Sequence, residues 1–248
     1  MVSSATRSHS LFNPEAKTPF KLSRSKIDLF LRCPRCFYLD RRLGVAQPPG
    51  FPFNLNSAVD KLLKKEFDLH RAKKTAHPLM KAYQIKAVPF AHAQLDEWRE
   101  NFKGVQYHEP KSGFLVTGAV DDLWIKDNQE LIVVDYKATA KEREVTIDAP
   151  WQDSYKRQLE VYQWLLRKNG FLVSDRGYFV YANGRTDREA FDGKLEFDVK
   201  VIPYDGDDAW VEPTLLKARA TLEAASLPPA APDCEYCQYR AAAAKAGA

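Results

Sequence analysis

The chain has 248 residues, 45% of them hydrophobic and 28% charged, a balance that excludes a disordered chain and suits one cored domain with elaborations. No apolar run approaches the ~20 residues that cross a bilayer, and the opening MVSSATRSHS has no apolar segment behind it, so the expected compartment is the cytoplasm, with no membrane partner. The net charge of +4 allows a polyanionic partner without demanding one.

Residues 1–24 carry Ser, Pro and Lys without periodicity and are expected to form a flexible N-terminal arm. Ser25-Lys-Ile-Asp28 resembles a capping box and opens a helix with Ile27, Phe30 and Leu31 on its apolar stripe, ended by Pro34. A second short helix is expected over 37–43, stopping at Gly44, and then the PPGFPF loop over 48–53. Asn56 or Ser57 caps a helix to about His70, with Val59, Leu62, Leu63 and Phe67 on its inner face. The positive clusters Lys64-Lys65 and 71–74 read as solvated helix faces. Leu95, Trp98 and Phe102 suggest a helix between 90 and 102. The period then turns strand-like, and 105–107, 114–125 and 131–138 read as consecutive antiparallel strands. A helix over 151–168 places Tyr155, Leu159, Tyr162, Leu165 and Leu166 at helical spacing before Gly170 stops it. Strands over 177–182 and 195–202 follow, then a last helix over about 209–225, a Pro-rich linker and an alanine-rich tail, 241–248, expected to fray.

The strongest chemical signal is Gly118-Ala-Val-Asp121-Asp122, followed by Leu131-Ile-Val-Val-Asp135-Tyr136-Lys137. A hairpin centred on Asn128 pairs Lys126 with Glu130, sets Asp121 across from Asp135 and sets Asp122 opposite Val134. Two carboxylates so placed can share one divalent cation. The strand period of two puts the Lys137 ammonium on the same face as Asp135. An isolated Asp-x-Lys is more often a buried ion pair. On strands otherwise built of Val, Ile and Leu, two acids and a lysine are costly without a task. In this register Asp121 is the expected metal ligand and Asp122 a structural acid turned to the other face.

The four cysteines form two pairs, Cys33-Pro-Arg-Cys36 and Cys234-Glu-Tyr-Cys237. In a reducing compartment such pairs read as soft-metal ligands before disulfides, and together they predict one four-thiolate site joining the two ends of the chain. Zinc and an iron–sulfur cluster both accept four cysteines.

Gly118-x-Val-Asp121, Asp135-Tyr-Lys137 and Gln158-Leu-Glu-Val-Tyr162, in this order, resemble the PD-(D/E)XK nuclease superfamily and, within it, the RecB-like exonuclease branch. The likeness runs from about Ser25 to Arg240 and implies one nuclease domain over 25–240. The implied fold is α/β: a restriction-endonuclease-like core, a mixed, mostly antiparallel central sheet flanked by helices, and a helical N-terminal insertion. It also implies that Asp121 and Asp135 bind Mg²⁺ or Mn²⁺, and that Lys137 positions and polarises the attacking water. Gln158 and Tyr162, four apart on one helix face, would steady the site and touch the substrate. The family often has a histidine on an early helix, in a Gly-x-x-x-His pattern; here Asn56-Ser-Ala-Val-Asp60 ends in aspartate. Asp60 suits a hard cation as a metal ligand, and equally suits the first turn of a helix as an ordinary acid.

The implied activity is hydrolysis of DNA phosphodiesters, exonuclease-type at ends or single strands, in recombination, repair or defence. A helicase or another DNA-processing protein is a candidate partner. In a subset of the branch, the CRISPR-associated exonucleases and the AddB-type helicase–nuclease subunits, cysteines flanking the core clamp a 4Fe–4S cluster. Cys33, Cys36, Cys234 and Cys237 look like that arrangement, divided two and two where the family divides one and three. Zinc is the alternative. The rival class is a catalytically silent nucleic-acid-binding or scaffolding module with a structural zinc or iron–sulfur site.

Overall fold

The computed structural model describes residues 11–50 and 54–247. In chain order the elements are β1 (Phe20–Ser23), α1 (Arg24–Arg32), α2 (Pro34–Arg41), α3 (Asn54–Lys73), α4 (Pro78–Ala82), β2 (Val88–Pro89), α5 (Leu95–Trp98), β3 (Val105–Glu109) and β4 (Phe114–Gly118). There follow β5 (Asp122–Ile125), β6 (Leu131–Thr139), a 3₁₀ turn (Pro150–Gln152), α6 (Asp153–Lys168), β7 (Arg176–Gly184), β8 (Phe197–Asp205), α7 (Val211–Glu223) and α8 (Glu235–Lys245). They fall in two compact units: unit 1 is Met1–Phe51, Tyr107–Thr117 and Ala209–Ala248, and unit 2 is Pro52–Gln106 and Gly118–Asp208. No helix among the described residues is long and apolar enough to cross a membrane.

Unit 1 carries a three-stranded sheet in the order β1-β4-β3, with β1 parallel to β4, and helices α1, α2, α7 and α8. Of the arm expected over 1–24, residues 1–10 lie outside the described residues, and the rest is ordered. Phe12 is buried and Phe20–Ser23 is a strand, because its alternate residue Leu22 finds a core to enter. The capping box at Ser25 does not form: α1 begins at Arg24, and Asp28 instead accepts from Arg32 Nε at 3.0 Å. Pro34 ends α1 as expected but also opens α2, three residues earlier than the sequence suggests, since its fixed φ suits a first helical position. The tail expected to fray continues α8 to Lys245. The loop over 48–53 is irregular at 48–50, and 51–53 lie outside the described residues.

Unit 2 is built on a five-stranded sheet, order β2-β5-β6-β7-β8, antiparallel except where β6 runs parallel to β7. The mixed, mostly antiparallel α/β architecture is thus as expected. Helix α6 makes the crossover between the parallel strands. Two glycines let it close on the sheet: a Cβ on Gly118 would stand 2.7 Å from the Tyr162 ring, and one on Gly177 would stand 2.8 Å from Leu159. The opposite face packs on α3, whose buried residues Val59, Leu63, Phe67 and Arg71 recur every four positions. Phe67, Trp124, Ile132, Val134 and Tyr136 belong to one buried cluster, with the Phe67 and Trp124 rings stacked at 5.5 Å. Leu62, expected inside, falls off this stripe and is 63% exposed. The helix expected over 90–102 shrinks to the single turn α5: the Phe90 N–H donates to the Leu123 carbonyl beside β5, and of the expected stripe Leu95 and Trp98 are buried while Phe102 is exposed. The strand expected over 114–125 is two strands, β4 and β5, broken at 119–121 and assigned to different sheets.

Candidate active site

All the candidate catalytic residues lie in unit 2. The β5–β6 ladder has the register expected from the hairpin: Asp122 faces Val134, Trp124 faces Ile132, and beyond the last pair Lys126 forms an ion pair with Glu130. The ladder ends at Asp122, so the direct cross-strand pairing of Asp121 with Asp135 is not made. Asp121 sits one residue outside it, where its Oδ2 accepts the Tyr136 backbone N–H at 2.9 Å and its Oδ1 lies 3.3 Å from Lys64 Nζ. Arg99 Nε donates to the Asp121 carbonyl at 3.1 Å, so backbone and side chain are both pinned.

Asp135 is fully buried in β6, and Lys137, two residues on, forms an ion pair with it. The Lys137 ammonium also lies 4.5 Å from the Tyr155 ring centroid and 3.5 Å from Gln158 Oε1. Gln158 Nε2 in turn donates to the Tyr162 hydroxyl at 3.0 Å. Strand β6 and helix α6 therefore bring Asp135, Lys137, Gln158 and Tyr162 into one connected chain. Burial and the nearby Asp135 charge both raise the pKa of Tyr155.

Asp60 projects from α3, one turn before Lys64, whose Nζ reaches its Oδ2 at 2.9 Å. Burial and the Asp121 charge raise the Asp60 pKa. Burial works against the Lys64 ammonium, but the attraction of Asp121 and Asp60 outweighs it and the lysine pKa is raised. A cleft of about 460 Å³ opens here, lined among others by Asp60, Asp121, Lys137, Trp151, Tyr155 and Tyr181. Asp60, Asp121 and Asp135 do not converge as the four cysteines do: among the described residues, only the cysteines bring three or more such ligand atoms within 4.8 Å of one another. Each acid instead has a lysine neighbour, Lys64 between Asp60 and Asp121 and Lys137 against Asp135.

Asp122, expected to be a structural acid, is enclosed by donors. Its Oδ1 accepts from Arg71 at 2.5 Å, from Arg99 at 3.0 Å and from the Leu123 N–H at 2.8 Å, and its Oδ2 from the Tyr136 hydroxyl at 2.7 Å. Asp68 ties the two arginines together, accepting from Arg71 Nε at 2.9 Å and from Arg99 at 3.0 Å. Burial and the Asp122 charge push the Tyr136 pKa well up. Burial opposes the charge on Arg99, but Asp122 and Asp68 prevail and raise its pKa. Arg71, expected as solvated charge in a basic cluster, is buried; its place four residues after Phe67 on the α3 stripe is the sequence signal that it points inward.

A family model for the PD-(D/E)XK nuclease superfamily matches residues 21–242. The chain belongs to the PD-(D/E)XK nuclease superfamily. Metal-dependent cleavage of nucleic acid is the activity that membership suggests, and the α/β architecture is consistent with its restriction-endonuclease-like fold. No curated protein matches the chain. Among solved structures, the crystal structure of SSO0001 is similar at 15% identity, covering 92% of this chain and 87% of that one, with a TM-score of 0.38, too slight a likeness to build on.

The second candidate centre of this PD-(D/E)XK protein lies within unit 1. Cys33 is the N-cap of α2 and Cys36 lies in its first turn; Cys234 is the N-cap of α8 and Cys237 lies in its first turn. None is in a disulfide. The sulfurs are 3.5 Å apart between Cys36 and Cys234, 3.7 Å between Cys36 and Cys237 and 3.9 Å between Cys33 and Cys237. Burial works to raise the Cys33 pKa, but the N–H groups of Ala231 and Cys36 and the neighbouring thiols overcome it and lower it to about 7. Burial raises the pKa of Cys36 and of Cys237. The joining of N- and C-terminal pairs, expected from the sequence, is therefore present as geometry, and the donor set fits a soft metal.

Proposed function

We propose that the chain is a metal-dependent DNA nuclease of the RecB-like type, acting on ends or single strands in the cytoplasm, alone or beside a helicase or other DNA-processing partner. One observation carries the reading. Asp121 is pinned just before β5, Asp135 and Lys137 share a face of β6, and Asp121 and Lys137 line one open cleft. Asp121 and Asp135 would hold Mg²⁺ or Mn²⁺, with Asp60 as a further oxygen ligand. Such ions commonly use one or two carboxylates and complete their shell with water and phosphate, so a looser grouping than that of the cysteines suffices. When bound, the ion lowers the pKa of water and offsets charge on the phosphodiester.

The protein's own groups supply the rest. Lys137 is a point charge directed at the cleft, placed to orient a water and to stabilise the charge that develops at phosphorus. Gln158, held by Tyr162, limits where the Lys137 ammonium can go. The test is cleavage of labelled single- and double-stranded DNA with Mg²⁺ or Mn²⁺ against EDTA. Lys137→Ala should lower the rate on the order of a hundredfold or more while DNA binding and folding persist. Activity within a few-fold of wild type would sink the assignment. DNA binding without cleavage in the wild type would favour the silent binding module.

For the four cysteines the family likeness points to a 4Fe–4S cluster and the sulfur spacing to zinc. A single tetrahedral ion with bonds of about 2.3 Å sets its sulfurs about 3.8 Å apart. Three of the six sulfur–sulfur separations, 3.5 to 3.9 Å, match that edge, and all four sulfurs lie within 4.8 Å of one another. A cubane, in which each thiolate takes its own iron, needs a wider cage. We infer one structural zinc. Colourless protein with one zinc per chain supports it; brown, iron-containing protein after anaerobic purification returns the site to the cluster.

A further inference from the structure

The cleft that holds Asp121 and Lys137 has an aromatic lip for which hydrolysis has no use. Trp151, in the 3₁₀ turn before α6, lines the cleft and is 54% exposed. Single exposed apolar residues are ordinary on protein surfaces; this one differs in where it sits and in what holds it. Its ring meets the Tyr155 ring edge-on at 5.5 Å and 83°, and the Lys141 ammonium lies 4.9 Å from its centroid. Tyr155 is itself capped by the Lys137 ammonium at 4.5 Å. Two ring contacts thus separate the lysine of the proposed catalytic strand from a half-exposed indole that also carries the Lys141 ammonium over its ring.

A ligand that suits such a lip must offer a flat π-face together with negative charge, and must reach the carboxylate end of the cleft at the same time. A nucleotide strand does so: its base stacks on the aromatic ring while its phosphates meet the lysines. Inside a duplex, each base has both faces covered by its neighbours. Only an unpaired or terminal base has a face to give.

We propose that Trp151 is the stacking platform for an unpaired base close to the cleaved phosphate, with Lys141 as the accompanying phosphate contact. The proposal rests on the nuclease reading above and narrows its substrate to single strands and frayed ends. Tyr155 acts as the positioning residue, fixing the indole on one side and lying against Lys137 on the other. The exposed Trp and the proposed catalytic Lys are thereby registered to the same strand, one reading a base and the other a phosphate.

The experiment measures binding of a labelled single strand of about ten nucleotides, with Ca²⁺ in place of the catalytic cation, and cleavage of the same strand with Mn²⁺. It is repeated on a strand of the same backbone carrying abasic sites. Trp151→Ala should weaken binding to the base-carrying strand on the order of tenfold, and the gap between variant and wild type should shrink to within about twofold on the abasic strand. Trp151→Phe should retain most of the affinity and Trp151→Leu should not. That pair carries the comparison if the alanine variant does not fold. Trp151→Ala within twofold of wild type on the base-carrying strand, an equal loss on the abasic strand, or Leu performing as well as Phe would each overturn the platform. Wild-type protein that cleaves while the variants match it removes the platform alone; wild-type protein that neither binds nor cleaves DNA removes the nuclease reading, and the platform with it.

Discussion

Two adjacent aspartates, chemically identical, have opposite surroundings. Asp121 accepts one backbone N–H and one lysine at the lip of a cleft, while Asp122 is sealed beneath it with two arginines and a tyrosine. Asp121→Asn should therefore lose both Mn²⁺ binding and cleavage. Asp122→Asn should keep Mn²⁺ binding but lose about 3–5 kcal/mol of stability, because it leaves buried guanidinium charge uncompensated. Mn²⁺ titration and denaturant unfolding of the two variants decide it; the reverse pattern would mean that the assignments are exchanged. Lys64 adds a second discriminator. Its ammonium stands between Asp60 and Asp121, where a bound cation would compete with it. Lys64→Ala should bind Mn²⁺ several-fold more tightly and be less stable in EDTA, because two neighbouring carboxylates then repel without a counter-charge. Unchanged Mn²⁺ affinity would show that Asp60 and Asp121 do not share an ion.

At the scale of elements, the site depends on how closely α6 lies on the sheet. Gly118 precedes Asp121 by three residues, and a methyl group there would meet the Tyr162 ring at 2.7 Å. Gly118→Ala should cost about 1–3 kcal/mol through overpacking. It should also lower cleavage, since Tyr162 holds Gln158, which contacts Lys137. A variant with wild-type thermal stability and wild-type rate would show that α6 has room to shift. The glycine of the Gly-x-Val-Asp motif is thus explained by contact with the tyrosine of the Gln-x-x-x-Tyr motif, two motifs that are 44 residues apart only along the chain. The β5–β6 hairpin is the most legible element, because its register is set locally by the Lys126–Glu130 pair closing a short turn.

For the molecule as a whole, the cysteine centre ties α2 to α8, elements from the two ends of the sequence, within one unit. A metal bound only by folded protein adds its binding free energy to folding. Cys36→Ser, or a strong chelator on the wild type, should lower the Tm of unit 1 and release the bound metal. A chelator that strips zinc with no change in Tm would show that helix packing alone holds these segments, for instance through the bond from the Tyr38 hydroxyl to the Ala224 carbonyl at 3.0 Å.

The sequence by itself determined the register of the hairpin, the two-and-two grouping of the cysteines and the α/β class, and it singles out the residues proposed to carry the chemistry. These follow from spacing, from periodicity and from turns a few residues long, whose physics is local. Tertiary structure alone decided the partners. Asp122 is satisfied by arginines 51 and 23 residues away, Lys64 bridges to an aspartate 57 residues on, and the 114–125 segment divides between two sheets. A charged side chain looks the same in sequence whether it meets water or a buried counter-charge, and only packing determines which of the two it meets. The stripe Val59, Leu63, Phe67, Arg71 carries that point in one helix: its period shows which face turns inward, and the acids waiting at Asp68 and Asp122 explain why an arginine can complete it.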